Sequence, residues 1–364
     1  MTLIKTSLYG RHQTLNAKFS PFAGFLMPIH YSSIKREHNA VRHDVGLFDV
    51  SHMGEIFISG KNALEFVQKI TINDAADLEI GQAQYSAMCN NNGGIVDDLL
   101  VYRFGNHFMM VVNASNIKKD LDWLKKNLIE GVEIKDMSDR LSLIALQGPK
   151  SRALIMKSMP VDISDLTFYR FVEIEIFGTS ITIARTGYTG ELGFEIYGDN
   201  ETIPHIWDIL MNSGKAFSLE PVGLAARDTL RMEMKYCLYG NDIDEKTNPI
   251  EAGLSWITKL DKGEFTGRDA IAESKISLTR RLVCFEMEDR AIPRQGYHIF
   301  KDGSKIGIVT SGTHSPSIGK GIGMAYINKP FTKSGNEITV EIRGKYKHAL
   351  IVKPPFYKNG TALI

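Results

Sequence analysis

The sequence predicts an α+β fold, mostly antiparallel, with a small all-β unit at its carboxyl end. Its 364 residues exceed what one small core requires, and this length indicates two or three structural units. Strand-like and helix-like segments mix irregularly along the chain, whereas a doubly wound sheet requires the two to alternate. From about residue 280 the pattern changes to short strands with turns, which is typical of a small barrel.

The predicted strands before residue 190 are short apolar runs bounded by Gly or Asn, as strands joined by tight turns usually are. They cover residues 54–60, 93–104, 107–113, 141–148, 171–178 and 180–187. The last two flank a Gly-Thr connection and therefore predict a hairpin. The barrel strands are predicted in "RLVCFEME", "SKIGIVTSG", "GNEITVEIRG" and "HALIVKPPF", whereas "GKGIGMA" predicts a turn.

Three helices are predicted from apolar residues at helical spacing. In "SNIKKDLDWLKKNLIEG" Ser115 is a suitable N-cap and Gly131 ends the pattern. In "ETIPHIWDILMNSG" Thr202 is the predicted cap, and "VGLAARDTLRMEMK" is the third helix. We place a domain boundary near "IAESKISLTRR", which separates residues 1–275 from residues 280–364.

The composition argues against several classes of protein. Lys and Arg total 43 and Asp and Glu total 42, so the net charge of +1 does not indicate a general binder of nucleic acid or of membrane surfaces. No apolar run approaches the roughly 18 residues of a membrane span, and the amino-terminal segment has no signal-peptide pattern. Neither a dinucleotide-binding glycine loop nor a phosphate loop is present, so we expect no metal and no nucleotide.

The three cysteines are too few and too far apart for a disulfide framework or a zinc site. Cys89, Cys237 and Cys284 form no C-x-x-C pair. We expect them to be small buried hydrophobic residues in a reducing compartment. The sequence therefore predicts a cytoplasmic location.

The segment "NNNGGIVDDLLVYRF" places two aspartates near the start of a predicted strand, where carboxylates are unusual. Successive strand residues face opposite sides, so Asp97 and Asp98 point apart. Both faces are otherwise apolar, and a buried carboxylate is costly unless something pairs with it. One explanation is structural: the carboxylate accepts backbone N–H bonds at the turn after Gly93 and Gly94. The other explanation is that the carboxylate meets a ligand.

Two further segments carry charged residues for which a ligand is an alternative to solvent. In "RTGYTGELGFEIY" Phe194 and Glu195 face opposite sides of a predicted strand. Glu195 either faces water or accepts two N–H donors from a planar ligand edge, as carboxylates do from guanidinium. In "GLAARDTLRMEM" Arg227 and Arg231 are four residues apart and share a helix face. They are either solvated, with Asp228 as a partner, or directed at a ligand carbonyl or carboxylate.

In their order along the chain, seven segments resemble the T-protein family of the glycine cleavage system, the tetrahydrofolate-dependent aminomethyltransferases. They are "FDVSHMGEI", "NGGIVDDLLVYR", "IALQGP", "RTGYTGELGFE", "GLAARDTLR", "LYGNDIDEKTNP" and "TSGTHSPSIG". The resemblance extends over nearly the whole chain, from "FAGFLMPIHY" to "KPPFYKNG".

The resemblance implies a three-domain, ring-like fold with tetrahydrofolate bound at a central hole. It implies two interleaved lobes, about 1–52 plus 141–275 and about 53–140, followed by a β-barrel at 280–364. The implied reaction moves the methylene carbon from S-aminomethyl-dihydrolipoyl H-protein to tetrahydrofolate, a co-substrate, and releases ammonia. The lipoylated H-protein is thus the implied direct partner, and the P-protein and L-protein are implied functional associates.

The resemblance also implies roles for individual residues. Asp97 matches the position next to the reacting folate nitrogens, and it is the predicted catalytic residue and a predicted folate contact. A carboxylate there stabilises positive charge or moves a proton as ammonia leaves. Glu195 matches the position that pairs with the pterin edge, and Arg227 matches one that donates to the pterin or its tail. Aromatic positions that line the folate site, where flat rings suit a flat pterin, are matched by Tyr85, Tyr169 and Tyr188.

Related proteins with this fold supply two alternative functions. One is a folate-dependent demethylase, and the other is a non-enzymatic folate-binding paralogue involved in RNA modification or iron–sulfur assembly. We expect such a paralogue to carry a reactive cysteine in a short signature, and no cysteine of this chain stands in that context. Flavin-linked folate enzymes carry a dinucleotide-binding fold whose signature this sequence lacks.

Overall fold

The computed structural model describes residues 2–364, which form an α+β arrangement of helices and strands. The helices are α1 (Tyr9–Thr14), α2 (Ile34–His43), α3 (Ala63–Ile70), α4 (Ile117–Lys126), α5 (Ser151–Ser158), α6 (Thr202–Ser213), α7 (Leu224–Glu233) and α8 (Arg268–Ile276). Within residues 2–364, none of them combines the length and the apolar character that a membrane crossing requires.

The strands fall into a hairpin, two open sheets and a barrel. The strands before the barrel are β1 (Lys18–Phe22), β2 (Phe25–His30), β3 (Val45–Asp49), β4 (Gly54–Ser59), β5 (Gln82–Cys89), β6 (Ile95–Arg103), β7 (His107–Val112), β8 (Glu133–Asp136), β9 (Leu141–Gln147), β10 (Phe171–Ile176), β11 (Thr179–Ala184), β12 (Gly193–Asp199) and β13 (Leu219–Pro221). The barrel strands are β14 (Arg280–Met287), β15 (His298–Lys301), β16 (Ser304–His314), β17 (Gly321–Asn328), β18 (Glu337–Ile342) and β19 (Lys345–Val352).

A six-stranded sheet in the order β10-β11-β12-β9-β3-β13 forms the first layer. Its neighbouring strands are antiparallel except β13, which runs parallel to β3. Helices α5 and α6 cover one face, where Trp207 and Phe194 are buried in an apolar core. Alternation along β12 turns Glu195 to the opposite face. That face meets the second sheet across a core that includes Tyr102 and Tyr197.

A five-stranded antiparallel sheet in the order β5-β6-β7-β4-β8 forms the second layer. All its strands lie between residues 54 and 136, so the chain leaves the first sheet after β3 and returns to it at β9. Helices α3 and α4 pack on its outer face through Phe66, Leu124 and their neighbours. We propose that the two sheets mark two interleaved domains.

Strands β14 to β19 close into a six-stranded antiparallel barrel, in the order β14-β17-β16-β15-β18-β19. Phe285, Ile299 and Ile327 lie in its apolar interior, where each is fully buried. A second core joins the outside of the barrel to the rest of the chain, with Met324 of β17 packed in the same cluster as Met232 of α7. The predicted all-β unit is therefore a closed barrel, which leaves no free sheet edge.

The segment "GKGIGMA" is wrongly predicted as a turn, because most of it belongs to β17, between β14 and β16. Close packing requires two of its glycines. A Cβ on Gly321 would lie 2.1 Å from the carbonyl oxygen of Ala291, and one on Gly323 would lie 2.3 Å from the ring of Phe285. Glycines that admit a close neighbour and glycines that form turns give the same sequence signal.

Helix ends also differ in detail from the prediction. Helix α4 ends at Lys126 rather than at Gly131, and Ser115 lies in a preceding 3₁₀ turn without a capping bond. Helix α6 begins at Thr202, but the side chain that caps it is Asp199, whose Oδ1 accepts the backbone N–H of Thr202 at 2.6 Å. Apolar spacing locates a helix well, whereas several neighbouring polar residues can serve as its cap.

Candidate active site

Strand β6 separates the two neighbouring aspartates onto opposite faces of the five-stranded sheet. Asp97 shares its face with Leu99 and Val101, which belong to the core beneath α3 and α4. Asp98 shares the other face with Tyr102, toward the six-stranded sheet. Asp97 is completely buried, whereas Asp98 keeps solvent-accessible surface. A bound molecule can therefore reach Asp98 but not Asp97 in this arrangement.

Asp97 is held by hydrogen bonds from the segment that follows β7. Its Oδ2 accepts the backbone N–H of Asn113 at 3.0 Å. Its Oδ1 accepts the side-chain amides of Asn113 at 2.9 Å and of Asn116 at 2.6 Å. Helix α4 also places Asp120 against it. The structure thus separates Asp97 from the other predicted site residues, because its face of β6 lies under a helix.

Asp98 lies near two of the predicted aromatic residues, Tyr85 and Tyr188. Its Oδ2 accepts from Oη of Tyr85 at 2.8 Å, and its Oδ1 accepts from Nδ2 of Asn113 at 2.8 Å. Burial, and then the charge of Asp98, raise the pKa of Tyr188, so Tyr188 lies close to Asp98. Burial, and then the charge of Asp97, raise the pKa of Asp98 to about 7. This carboxyl group can therefore both hold and release a proton near neutral pH.

Glu195 on β12 has one carboxylate oxygen engaged by the protein and the other free. Its Oε2 accepts from Oγ1 of Thr186 at 2.5 Å and from Oη of Tyr197 at 3.4 Å. No donor among residues 2–364 bonds its Oε1. Burial raises the pKa of Glu195, whereas the hydrogen bond from Thr186 and the positive charge of Arg227 lower it. Oε1 is therefore available to an N–H donor of a ligand.

Two arginines of α7 share a helix face as predicted, yet their surroundings differ. Arg231 is 2% exposed, and its side-chain hydrogen-bond partners are Asp228, Tyr236, Asp242 and Ser311. Arg227 keeps accessible surface, and its guanidinium donates no hydrogen bond within residues 2–364. It lies over the ring of Tyr188, with 4.6 Å between the guanidinium carbon and the ring centroid. Arg231 thus fastens α7 to the barrel, whereas Arg227 is free for a ligand.

Aromatic rings lie around these free groups. Tyr188 stacks on Tyr236, with ring centroids 5.6 Å apart. Tyr85 stacks on Trp256, with centroids 6.0 Å apart. Tyr169 has a φ of +63°, which is rare for a tyrosine and is found chiefly where the surrounding structure or a function imposes it. Burial, and then the neighbouring Tyr236, raise the pKa of Tyr169, so the two side chains lie close together. Such flat surfaces suit a flat ligand.

The structure brings together five of the six residues proposed from the sequence, around the region between the two sheets and α7. They are Tyr85, Tyr169, Tyr188, Glu195 and Arg227. Asn113 and Tyr236 also lie there and were not predicted, and Asp98 is the aspartate of β6 on this side, whereas the sequence-based assignment chose Asp97. The alternation of strand residues showed that the two aspartates point apart. Only the position of α4, which covers the face of Asp97, shows that Asp98 is the one that faces the site.

Comparisons with known proteins identify the family of the chain. The family model of the GCVT N-terminal domain matches residues 8–262, and that of the glycine cleavage T-protein C-terminal barrel domain matches residues 280–358. The chain belongs to the glycine cleavage T-protein family. Aminomethyltransferases of Flavobacterium psychrophilum and Chloroherpeton thalassium are 49% and 50% identical to it, and each alignment covers 97% of this chain and 99% of the relative.

This T-protein also matches a solved structure over its whole length. The crystal structure of glycine cleavage system aminomethyltransferase T from Bartonella henselae gives a TM-score of 0.93 at 35% identity and covers 99% of both chains. The predicted α+β T-protein fold with its carboxyl-terminal barrel is thereby confirmed. The chain is an aminomethyltransferase of the glycine cleavage system, as the resemblance implied.

Proposed function

We propose that this T-protein transfers the methylene carbon of an aminomethyl group from a lipoylated H-protein to tetrahydrofolate. The products are 5,10-methylenetetrahydrofolate, ammonia and dihydrolipoyl H-protein. The observation that carries the proposal is one site in which Asp98, Glu195 and Arg227 all have unused hydrogen-bonding capacity. We further propose that the enzyme works in the cytoplasm, in functional association with the P-protein and the L-protein.

The residues of the site fit tetrahydrofolate. A charged side chain inside a protein normally has a full set of partners, yet the guanidinium of Arg227 and Oε1 of Glu195 have none within residues 2–364. The pterin ring offers an edge of N–H donors for Glu195 and a carbonyl acceptor for Arg227. The rings of Tyr188 and Tyr169 would contact its flat faces. When bound, tetrahydrofolate supplies the nitrogens that accept the carbon.

Asp98 has the proton-transfer role in this proposal. Tyr85 and Asn113 fix its carboxylate, and a pKa of about 7 allows both of its protonation states at neutral pH. The ionised form stabilises positive charge that develops at the transferred carbon. The protonated form provides a proton to the nitrogen that leaves as ammonia. Glu195 and Arg227 contribute by holding the acceptor in place.

The cysteines do not offer an alternative chemistry. Cys89, Cys237 and Cys284 are unpaired and buried. Burial raises the pKa of Cys237 and of Cys284 to about 12, so both remain thiols at neutral pH. Since the thiolate is the reactive form, these residues lack the character expected of a paralogue that acts through a cysteine.

The proposal is tested by an assay with aminomethyl-loaded H-protein. We expect the enzyme to release ammonia only when tetrahydrofolate is present, with one methylenetetrahydrofolate formed per ammonia. A parallel reaction replaces the H-protein by a methylated sulfonium compound and measures methyl transfer to tetrahydrofolate. Ammonia release at the same rate without tetrahydrofolate, or transfer from the sulfonium compound alone, would refute the proposal.

Glu195→Ala should weaken tetrahydrofolate binding far more than it slows transfer at saturating tetrahydrofolate. A hydrogen bond to a charged group contributes about 1.5–3 kcal/mol, so we expect the dissociation constant to rise roughly 10- to 100-fold. The loss falls on binding because the contacts to the pterin edge exist before the reaction and change little during it. Calorimetric titration of the variant with tetrahydrofolate measures this change.

Glu173→Ala is the matched control for Glu195→Ala. Glu173 lies on β10 of the same sheet and is exposed, so its removal should leave the dissociation constant unchanged. Equal dissociation constants for Glu195→Ala and the wild-type protein would remove Glu195 from the binding site.

A further inference from the structure

Asn113, directly after β7, connects the two aspartates of β6 with one side-chain amide. Its Nδ2 lies 2.9 Å from Oδ1 of Asp97, 2.8 Å from Oδ1 of Asp98 and 3.1 Å from the carbonyl oxygen of Asp98. Its backbone N–H also donates to Oδ2 of Asp97 at 3.0 Å. A single residue therefore ties the accessible carboxylate to the buried one behind it.

Asp120, on α4, has no role in the proposed reaction and no obvious partner. It is completely buried, and neither of its carboxylate oxygens has a hydrogen-bond donor within residues 2–364. It faces Asp97 within hydrogen-bonding range. Two ionised carboxylates in contact and away from water repel each other, so the pair has to hold one proton. Burial, and then the charge of Asp97, raise the pKa of Asp120 to about 10, which assigns that proton to Asp120 at neutral pH.

We propose that Asn113, Asp97 and Asp120 form a positioning group that sets the orientation and the proton occupancy of Asp98. The inference rests on the proposed function, in which Asp98 is the catalytic carboxyl group. Burial raises the pKa of Asp97, and the hydrogen bond that protonated Asp120 donates to it acts in the opposite direction and favours its ionised form. The negative charge of Asp97 favours the protonated form of Asp98, whereas the amide of Asn113 favours the ionised form. These opposing effects hold Asp98 near half-protonation at neutral pH.

Among the charged groups around Asp98, Asp97 has the largest effect on the pKa of Asp98. Burial is the largest influence on Asp98, and Asp97 is the next. The titratable side chains that face Asp98 from other elements are raised in pKa and neutral, and they are Tyr85, Tyr188 and Cys237. Lys119 on α4 donates its Nζ to the carbonyl of Val96 at 2.5 Å and to Oη of Tyr239 at 2.7 Å, and its charge lowers the pKa of Asp120.

The pH dependence of aminomethyl transfer tests the group, because two substitutions should move it in opposite directions. Asp97→Asn removes a negative charge, so the apparent pKa of Asp98 should fall by about 1 unit. Asn113→Ala removes a donor to the ionised form, so that apparent pKa should rise. Asn113→Ala should also lower kcat roughly 10- to 100-fold, because it frees the carboxylate to rotate, with the KM for tetrahydrofolate changed less than twofold (about 0.4 kcal/mol).

Asn127→Ala is the matched control for Asn113→Ala. Asn127 follows α4 and donates to the carbonyl of Trp123 at 2.8 Å, outside the positioning group. It should leave both kcat and the pH profile unchanged. Purely structural damage would lower the amount of active enzyme without shifting the profile, so opposite shifts identify the electrostatic role.

Infrared spectroscopy tests the proton on Asp120 without any assay of activity. At neutral pH a carbonyl band of protonated carboxyl groups comes from buried acids, such as Asp120 and Glu55, whose pKa values are raised chiefly by burial. We expect Asp120→Asn to remove part of this band and Glu55→Gln to remove another part. An unchanged band in folded Asp120→Asn would overturn the assignment of the proton.

The outcomes separate this inference from the proposed function. If Asp98→Asn is inactive while Asn113→Ala and Asp97→Asn keep the wild-type kcat and pH profile, the positioning group is refuted and the proposed function stands. If Asp98→Asn retains the wild-type kcat, the catalytic assignment itself fails. If Asn113→Ala does not fold, the pH profile of Asp97→Asn and the infrared comparison still decide whether the positioning group exists.

Discussion

Replacing Asp98 by asparagine is expected to lower kcat for aminomethyl transfer by roughly 10³-fold while the protein stays folded and binds tetrahydrofolate. Asparagine keeps the size of the side chain and an oxygen that can accept from Oη of Tyr85. It cannot take up or release a proton, and it has no charge to stabilise positive charge on the transferred carbon. Single-turnover release of ammonia from aminomethyl-loaded H-protein, at saturating tetrahydrofolate, measures the loss.

Asp97→Asn is the matched control for Asp98→Asn, since it makes the same chemical change one residue earlier in β6. Asp97 is completely buried and acts only through Asp98 in our proposal, so its loss should slow the reaction roughly tenfold, far less than the loss of Asp98. Circular dichroism confirms that both variants are folded. A larger loss for a folded Asp97→Asn than for Asp98→Asn would restore the catalytic role to Asp97, as the sequence-based assignment has it.

The fold could be predicted where local pattern and tertiary role coincide. Strands β6, β7 and β9 are apolar runs bounded by Gly or Asn, and the sequence alone located them. Helix α2 was not predicted, because Glu37, His38 and Arg42 contribute much of its buried surface. These three residues are paired with distant elements, and counting apolar residues at helical spacing does not find them. Its existence depends on partners that lie far away in the sequence.

The residue types of the candidate site could be predicted from the sequence, but not which of their side chains point into the site. The free Arg227 and the engaged Arg231 occupy equivalent helical positions, and only the positions of Asp242 and Ser311 distinguish them. The two aspartates of β6 are likewise equivalent until α4 covers one face of the strand. Asn113 carried no signal beyond being an asparagine at a strand end. In each case a long-range contact decides which side chain a ligand can reach.

The buried charges around Arg42 connect α2 to the loop that carries Tyr188 and to α7, which carries Arg227. Nη1 of Arg42 donates to Oε1 of Glu191 at 2.7 Å, and its Nη2 donates to Oε2 of Glu233 at 2.8 Å. Glu191 lies in the same loop as Tyr188, and Glu233 ends α7, which carries Arg227. The three charged side chains are almost completely buried. Arg42 therefore fixes the relative positions of the groups that would contact the pterin.

Arg42→Met is expected to lower the free energy of unfolding by about 3–5 kcal/mol, because it leaves two carboxylates buried without their cation. It should also weaken tetrahydrofolate binding, since Tyr188 and Arg227 lose their common support. Arg36→Met is the matched control: Arg36 lies on the same helix, its side chain is 66% exposed, and water screens its ion pair with Glu220, so its loss should change the stability little. Urea unfolding followed by circular dichroism compares the two variants. Similar losses from both would show that Glu191 and Glu233 find other partners and that Arg42 does not support the site.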